Sequence, residues 1–225
     1  MRTLILDNSV VPIFLREGRL TRQWFDQPVQ TLSALRQPLP ALDSFDRLVL
    51  SGSEASVLDD RPWIQREMEF VRRAVEEGKP VLGACFGHQL LARALWGRKY
   101  VRRAAAPEFG WRNIRLDTSD ALFTGLPREA TMFCSHFDEV VDLPDEAQAL
   151  ASSDYCPVHA FRLRGRPVWG VQFHPEMDRL GGLAILTWFG LLRRKVHLDS
   201  STAWRAAEGP IHAPVLFSNF ARAGR

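Results

Sequence analysis

Val81-Leu-Gly-Ala-Cys85-Phe-Gly-His-Gln89 joins two patterns abruptly. An apolar run of strand character ends at Gly83-Ala84, and an apolar helical pattern starts directly after Cys85. The chain must turn sharply from strand to helix, with a cysteine at the apex and glycines at 83 and 87 on either side. A nucleophile on such a turn is held in a strained backbone conformation and projects into a cleft. Its neighbours must be small, because strand and helix nearly touch there. The first turn of a helix also favours a thiolate through the helix dipole.

Upstream of this turn, Thr3 to Leu6 and Phe45 to Leu50 read as buried strands, each ended by turn residues. Pro62 to Glu77 reads as an amphipathic helix, with proline in its first turn and Gly78 after its end. A second helix runs from the turn to about Trp96 and is closed by Gly97. Alternating strands and helices imply crossover connections. The expected fold is α/β and three-layered: a mostly parallel central sheet with helices on both faces. Residues 9 to 40 carry Pro12, Gly18, Pro28, Pro38 and Pro40, so any helix there is interrupted. Short strands are expected at Trp111 to Leu116, Thr131 to Cys134, Glu139 to Leu143, Gln148 to Ser152, Val158 to Leu163 and Pro167 to Phe173. They read as small antiparallel additions to the sheet. Leu180 to Lys195 reads as an amphipathic helix, and Pro214 to Phe220 as a short helix packing back on the body. Residues 1–225 are expected to form one domain.

The 225 residues are 46% hydrophobic with a formal net charge of +3, enough apolar surface for a sizeable core. Basic pairs such as Arg72-Arg73, Arg102-Arg103 and Arg193-Arg194 are scattered among acidic or apolar neighbours, so no nucleic-acid partner is expected. Three unclustered cysteines, Cys85, Cys134 and Cys156, argue against a disulfide framework. The N-terminus does not read as a signal peptide, and no apolar run approaches the ~20 residues of a membrane span. A soluble, cytoplasmic protein is expected.

A cysteine nucleophile needs a base, and the base an orienting partner. Of six histidines, His174 stands out in Gly170-Val-Gln-Phe-His-Pro-Glu176. Pro175 keeps His174 out of the helical region at a strand end. Glu176 lies within reach of one imidazole nitrogen, leaving the other for Cys85. Carboxyl ends of parallel strands share one edge of a sheet, where ligands bind, and both motifs end strands. Cys134-Ser-His136 and Cys156-Pro-Val-His159 together offer four zinc ligands, but at atypical spacings, so Cys134 and Cys156 read as core and no metal or other cofactor is expected.

Gly83-Ala-Cys85-Phe-Gly87-His-Gln89, followed by His174-Pro-Glu176, resembles the class I (triad-type) glutamine amidotransferase family, whose fold is flavodoxin-like. Ser51-Gly52-Ser53 resembles the family's oxyanion loop, although many relatives have proline where Ser53 stands. Ser135-His136-Phe137-Asp138 is similar to the Ser-His-Gly-Asp stretch of GMP-synthase-type members, and Glu108-Phe-Gly-Trp111 resembles a segment of stand-alone members. The likeness reaches about Leu192, with residues 196–225 matching loosely. It implies a catalytic triad of Cys85, His174 and Glu176 and oxyanion donors at Gly52, Ser53 and Phe86. It also implies a substrate pocket formed by Gln89 and the backbone of Ser135, His136 and Phe137. The implied substrate is glutamine or a γ-glutamyl small molecule. The chain shows no phosphate-binding glycine loop and has no room for a synthetase domain, so the ammonia acceptor is expected on a separate synthetase chain. The alternatives are a stand-alone hydrolase of γ-glutamyl amides or peptides and a catalytically silent regulatory relative.

Overall fold

The computed structural model describes residues 1–10, 17–192 and 211–223. Its strands are β1 (Thr3–Asp7), β2 (Val29–Ser33), β3 (Arg47–Leu50), β4 (Val81–Ala84), β5 (Val101–Leu116), β6 (Glu129–Val140), β7 (Ala147–Ser152), β8 (Ala160–Leu163) and β9 (Val168–Val171). Its helices are α1 (Glu17–Arg22), α2 (Pro62–Glu76), α3 (Phe86–Trp96), α4 (Arg179–Leu192) and α5 (Ala213–Arg222). The strands form one sheet in the order β2-β1-β3-β4-β9-β8-β7-β5-β6. Pairing is parallel from β2 through β9 and antiparallel from β9 through β6. The sheet curls: β6 stands last in the order, yet Phe133 in it bridges to His174, just past the end of β9.

Alternation along the central strands feeds two apolar layers. Leu4, Leu6, Leu48 and Leu50 pack with Ile64, Met68 and Val71 of α2 and Leu90 and Leu91 of α3. Ile5, Val49 and Leu82 face the opposite layer, with Phe123, Trp169 and Leu216, Phe217 and Phe220 of α5. The C-terminal helix is thus built into the body. Asn219 on α5 donates to the carbonyls of Leu122 and Thr124 (2.9 and 2.8 Å), and buried Arg47 donates to the Ala221 carbonyl at 2.6 Å. No helix among the described residues is long and apolar enough to cross a membrane.

Three stretches differ from the sequence reading. For residues 9 to 40 the sequence predicts only an interrupted helix, whereas α1 is a single short helix and Val29–Ser33 is an edge strand beside β1. Strand β5 begins ten residues before the expected Trp111, because its register with β6 slips between Arg103 and Glu108. Pro107 lies in that irregularity, where it withholds no ladder donor. The segments expected at 131–134 and 139–143 form one continuous strand, β6. The basic run Arg193 to Lys195 and His197 lie outside the described residues.

Candidate active site

Strand β4 delivers Cys85 to the turn at φ +49°, ψ −105°, a left-handed conformation that a side chain adopts only under constraint. The constraint is visible on both sides. The Cys85 amide donates to the Val171 carbonyl at the end of β9 (2.8 Å), and its carbonyl accepts the first helical bond from the Gln89 amide (3.1 Å). The flanking glycines are required by contact. A Cβ on Gly83 would lie 2.4 Å from the Gly87 carbonyl oxygen, and one on Gly87 would lie 2.5 Å from that of Leu50. Strand and helix therefore touch through bare backbone, as the sequence pattern implies.

His174 and Glu176 follow β9, the strand beside β4. Glu176 Oε1 lies 2.9 Å from His174 Nδ1, and both side chains are buried. This leaves Nε2 as the nitrogen the ring presents away from Glu176. The His174 amide donates to the Phe133 carbonyl (2.8 Å), while Cys85 Sγ lies 3.6 Å from the Ser135 carbonyl. Carbonyls at positions i and i+2 of a strand project to the same side, roughly 7 Å apart. One short stretch of β6 therefore anchors nucleophile and imidazole together.

Most of the remaining expected residues border a polar cavity of about 240 Å³, whose lining does not include Gly52 or Phe86. Cys85, Ser53, Gln89, Ser135, His136 and Phe137 line it, with Glu54, Ser56, Asp59, Arg61, Arg103 and Asp138. The Ser51–Ser53 loop is pinned to β1. The Asn8 amide donates to Ser51 Oγ (2.9 Å), and the Asn8 side chain to the Ser51 carbonyl (3.2 Å). Phe86 is the first residue of α3, so its N–H has no acceptor within the helix. Gln89 spends both its amide hydrogens on the protein, at the Asp138 carbonyl (2.7 Å) and Gln172 Oε1 (3.1 Å), so only its carbonyl oxygen can accept from a ligand. His136 borders the cavity, and its imidazole meets Glu108.

A family model for class I glutamine amidotransferases matches residues 14–187 of this sequence. The chain belongs to the class I glutamine amidotransferase family. It is 39% identical over 167 residues to a glutamine-hydrolyzing GMP synthase of Aeropyrum pernix, an alignment that covers 73% of this chain and 30% of that one. It is 34% identical over 151 residues to one of the subunits of the glutamine-hydrolyzing GMP synthase of Methanothermobacter thermautotrophicus, covering 66% of this chain and 80% of the relative. The chain thus spans under a third of the first relative and most of the second. The fold is shared with a glutamine amidotransferase from Thermotoga maritima, at a TM-score of 0.79 and 21% identity over 97% of this chain and 94% of the other.

Several contacts of the site carry no local signal in the sequence. Asp138 receives Ser56 Oγ at 2.5 Å and Arg103 at 2.8 Å, which ties the cavity wall to two distant segments. Gln172 meets Gln89 across 83 positions of sequence. The other two cysteines are also buried. Burial pushes the Cys156 thiol up to about 12 and raises that of Cys134 well above its usual range, with the Glu108 charge adding to both. His88, in the first turn after the elbow, lies under β9 where Gly170 makes room for it, and burial drives its pKa down to about 3.

Proposed function

We propose that this chain hydrolyses the side-chain amide of glutamine and passes the ammonia to a separate synthetase chain. The observation that carries the proposal is the strained Cys85 lining a polar cavity, with the His174–Glu176 pair anchored to the same strand. Family membership gives this arrangement its substrate class. In the proposed reaction His174 Nε2 takes the Cys85 thiol proton, and the thiolate adds to the γ-carbonyl carbon of glutamine. The backbone N–H groups of Phe86 and of the Gly52-Ser53 loop hold the oxyanion, each such donor contributing about 3 kcal/mol. His174 returns the proton to the amide nitrogen, the C–N bond breaks, and ammonia departs from a γ-glutamyl thioester. A water deprotonated by His174 then adds to the thioester, and glutamate leaves as the thiol re-forms. Glu176 holds Nδ1–H throughout and so fixes which nitrogen handles the proton. The Gln89 carbonyl oxygen and the backbone of Ser135 to Phe137 are suited to the substrate's ammonium and carboxylate end.

The separate partner rests on relatives that are named as single subunits of GMP synthase, and on the length over which the Methanothermobacter one aligns. Purified protein is expected to release equal ammonia and glutamate from glutamine, faster with a synthetase chain added, and Cys85→Ala is expected to abolish the release. A glutamine-like electrophile should label Cys85 alone. Turnover of γ-glutamyl dipeptides but not glutamine would replace the proposal with a stand-alone hydrolase. Turnover of neither, with partner present, would replace it with a silent relative.

A further inference from the structure

Behind the cavity wall, Glu108 of β5, His136 of β6, and Cys156 and His159 between β7 and β8 converge, all buried. One ligand atom from each lies within 4.8 Å of the other three. Cys134, which the sequence pattern groups with the histidines, is not in the set, and Glu108 takes its place. The geometry points to a metal site: we propose that these four residues bind a zinc-like divalent cation that braces the wall of the catalytic cavity.

Hydrogen accounting supports it. His136 Nδ1 lies 3.1 Å from the Asp138 carbonyl, which can only accept, so Nδ1 carries the hydrogen. In the neutral ring Nε2 is then a lone pair, and it lies 3.1 Å from Glu108 Oε2, a second acceptor. Two acceptors at that distance need a positive centre between them. His159 Nε2 reaches the same carboxylate oxygen at 2.8 Å, with the two imidazole planes at 88° to each other. Neutral His159 can donate from its Nε2 to Glu108, so a proton on His136 reconciles the histidine–carboxylate contacts but leaves Cys156 out, whereas a tetrahedral cation engages all four groups. Two imidazoles, a thiolate and a carboxylate form a donor set that suits zinc, whose bond lengths of about 2.0–2.3 Å imply ligand separations of roughly 3.3–3.8 Å. The Asp138 carbonyl already does what a metal-bound histidine requires, orienting the ring through its other nitrogen. The charges also balance. A dication meets the Glu108 carboxylate and a Cys156 thiolate, and the thiol proton leaves to solvent on binding.

The site's place gives it a consequence. His136 stands between Ser135, whose carbonyl faces Cys85 Sγ, and Phe137, which lines the cavity. A cation there ties that stretch of β6 to β5 and to the 153–159 loop.

The untagged full-length protein, stripped with chelator, would be titrated with cobalt(II) chloride and then displaced with zinc. One cobalt per chain is expected, with tetrahedral visible bands and a thiolate charge-transfer band. Cys156→Ser should lose the charge-transfer band, and His159→Ala should bind at least about 10-fold more weakly. Cys85→Ala should retain both features, which separates this site from the catalytic thiol. Absence of saturable binding would overturn the proposal, as would a charge-transfer band that survives Cys156→Ser or disappears in Cys85→Ala. Should the cluster variants fail to fold, zinc-edge X-ray absorption on the wild-type protein decides. One sulfur among nitrogen and oxygen neighbours is expected, and a six-coordinate all-oxygen shell would overturn the site.

Discussion

Two of the buried histidine–glutamate pairs among the described residues are of nearly equal length and differently arranged. His174 meets Glu176 through Nδ1 at 2.9 Å, and His136 meets Glu108 through Nε2 at 3.1 Å. In the first pair, the nitrogen turned from the carboxylate belongs to a residue whose backbone is anchored on the same stretch of β6 that meets Cys85. In the second, the other nitrogen is spent on the Asp138 carbonyl, and the carboxylate is shared with His159 and Ser153. Burial opposes a charge on Glu108, but the imidazoles of His136 and His159 against it outweigh that and hold its carboxyl far below the usual carboxylate range. A histidine–carboxylate pair is therefore no signature of catalysis by itself. What distinguishes the pairs is which nitrogen the carboxylate takes and what the backbone places opposite the other.

The sharpest way to break this contrast is to delete the imidazole of the first pair. On the proposed mechanism His174→Ala lowers glutamine turnover by about 10²–10⁴-fold, the usual contribution of a positioned acid–base group. Glu176→Gln is expected to fall between that variant and wild type, because an amide oxygen can still accept from Nδ1–H. Steady-state kinetics beside thermal melts would test both. Residual turnover near wild type, with the loss confined to stability, would make His174–Glu176 structural like its counterpart.

The elbow offers the next largest effect, on stability. A methyl group on Gly87 has no way out, since it meets the backbone and Cβ of Leu50 at 2.5 and 2.7 Å. Gly87→Ala should cost on the order of 3 kcal/mol, at the upper end for overpacking, because the atoms it strikes belong to a central strand. The shift in denaturant midpoint measures it. A midpoint within error of wild type would mean that strand and helix part easily at this contact.

These two variants mark what was legible in the sequence. Gly83, Cys85 and Gly87 are close neighbours in the chain, so their spacing alone encodes the turn, and His174 and Glu176 flank a proline that declares its conformation. Of the parallel strands, β1, β3 and β4, like α2 and α3, were readable from apolar runs and caps for the same local reason, whereas β9 read as an antiparallel addition and instead pairs parallel with β4. The second pair was not legible, because Glu108, His136 and His159 lie on separate strands and loops and only the antiparallel register brings them together. The early part of β5 was hidden by Ala104 to Pro107, which read as neither helix nor strand, and β2 by the proline before it. Gln172 and Asp138 needed the curl of the sheet, a property of no single segment.

Glu67 extends the comparison to a buried glutamate with no histidine at all. It lies in α2, wholly inaccessible, near the side chain of Asn8. Burial raises its pKa from 4.5 to about 8, against the smaller opposing influence of Asn8 and Arg66. The sign of the consequence follows from proton counts. Below pH 4.5 native and unfolded chains both hold the proton, and the residue adds no pH dependence. Between about 4.5 and 8 the native state keeps a proton that the unfolded chain has released, so this contribution to stability declines as pH rises. Above about 8 both forms are ionised and the loss is complete, on the order of a few kcal/mol. Glu67→Gln removes the group that titrates. The variant should match wild type near pH 4.5 and exceed it progressively towards pH 8, as followed by denaturant unfolding across that range. Parallel curves for the two proteins would mean that Glu67 is ionised and paired in the native state. It would then resemble Glu108, and the distinction between these buried glutamates would fail.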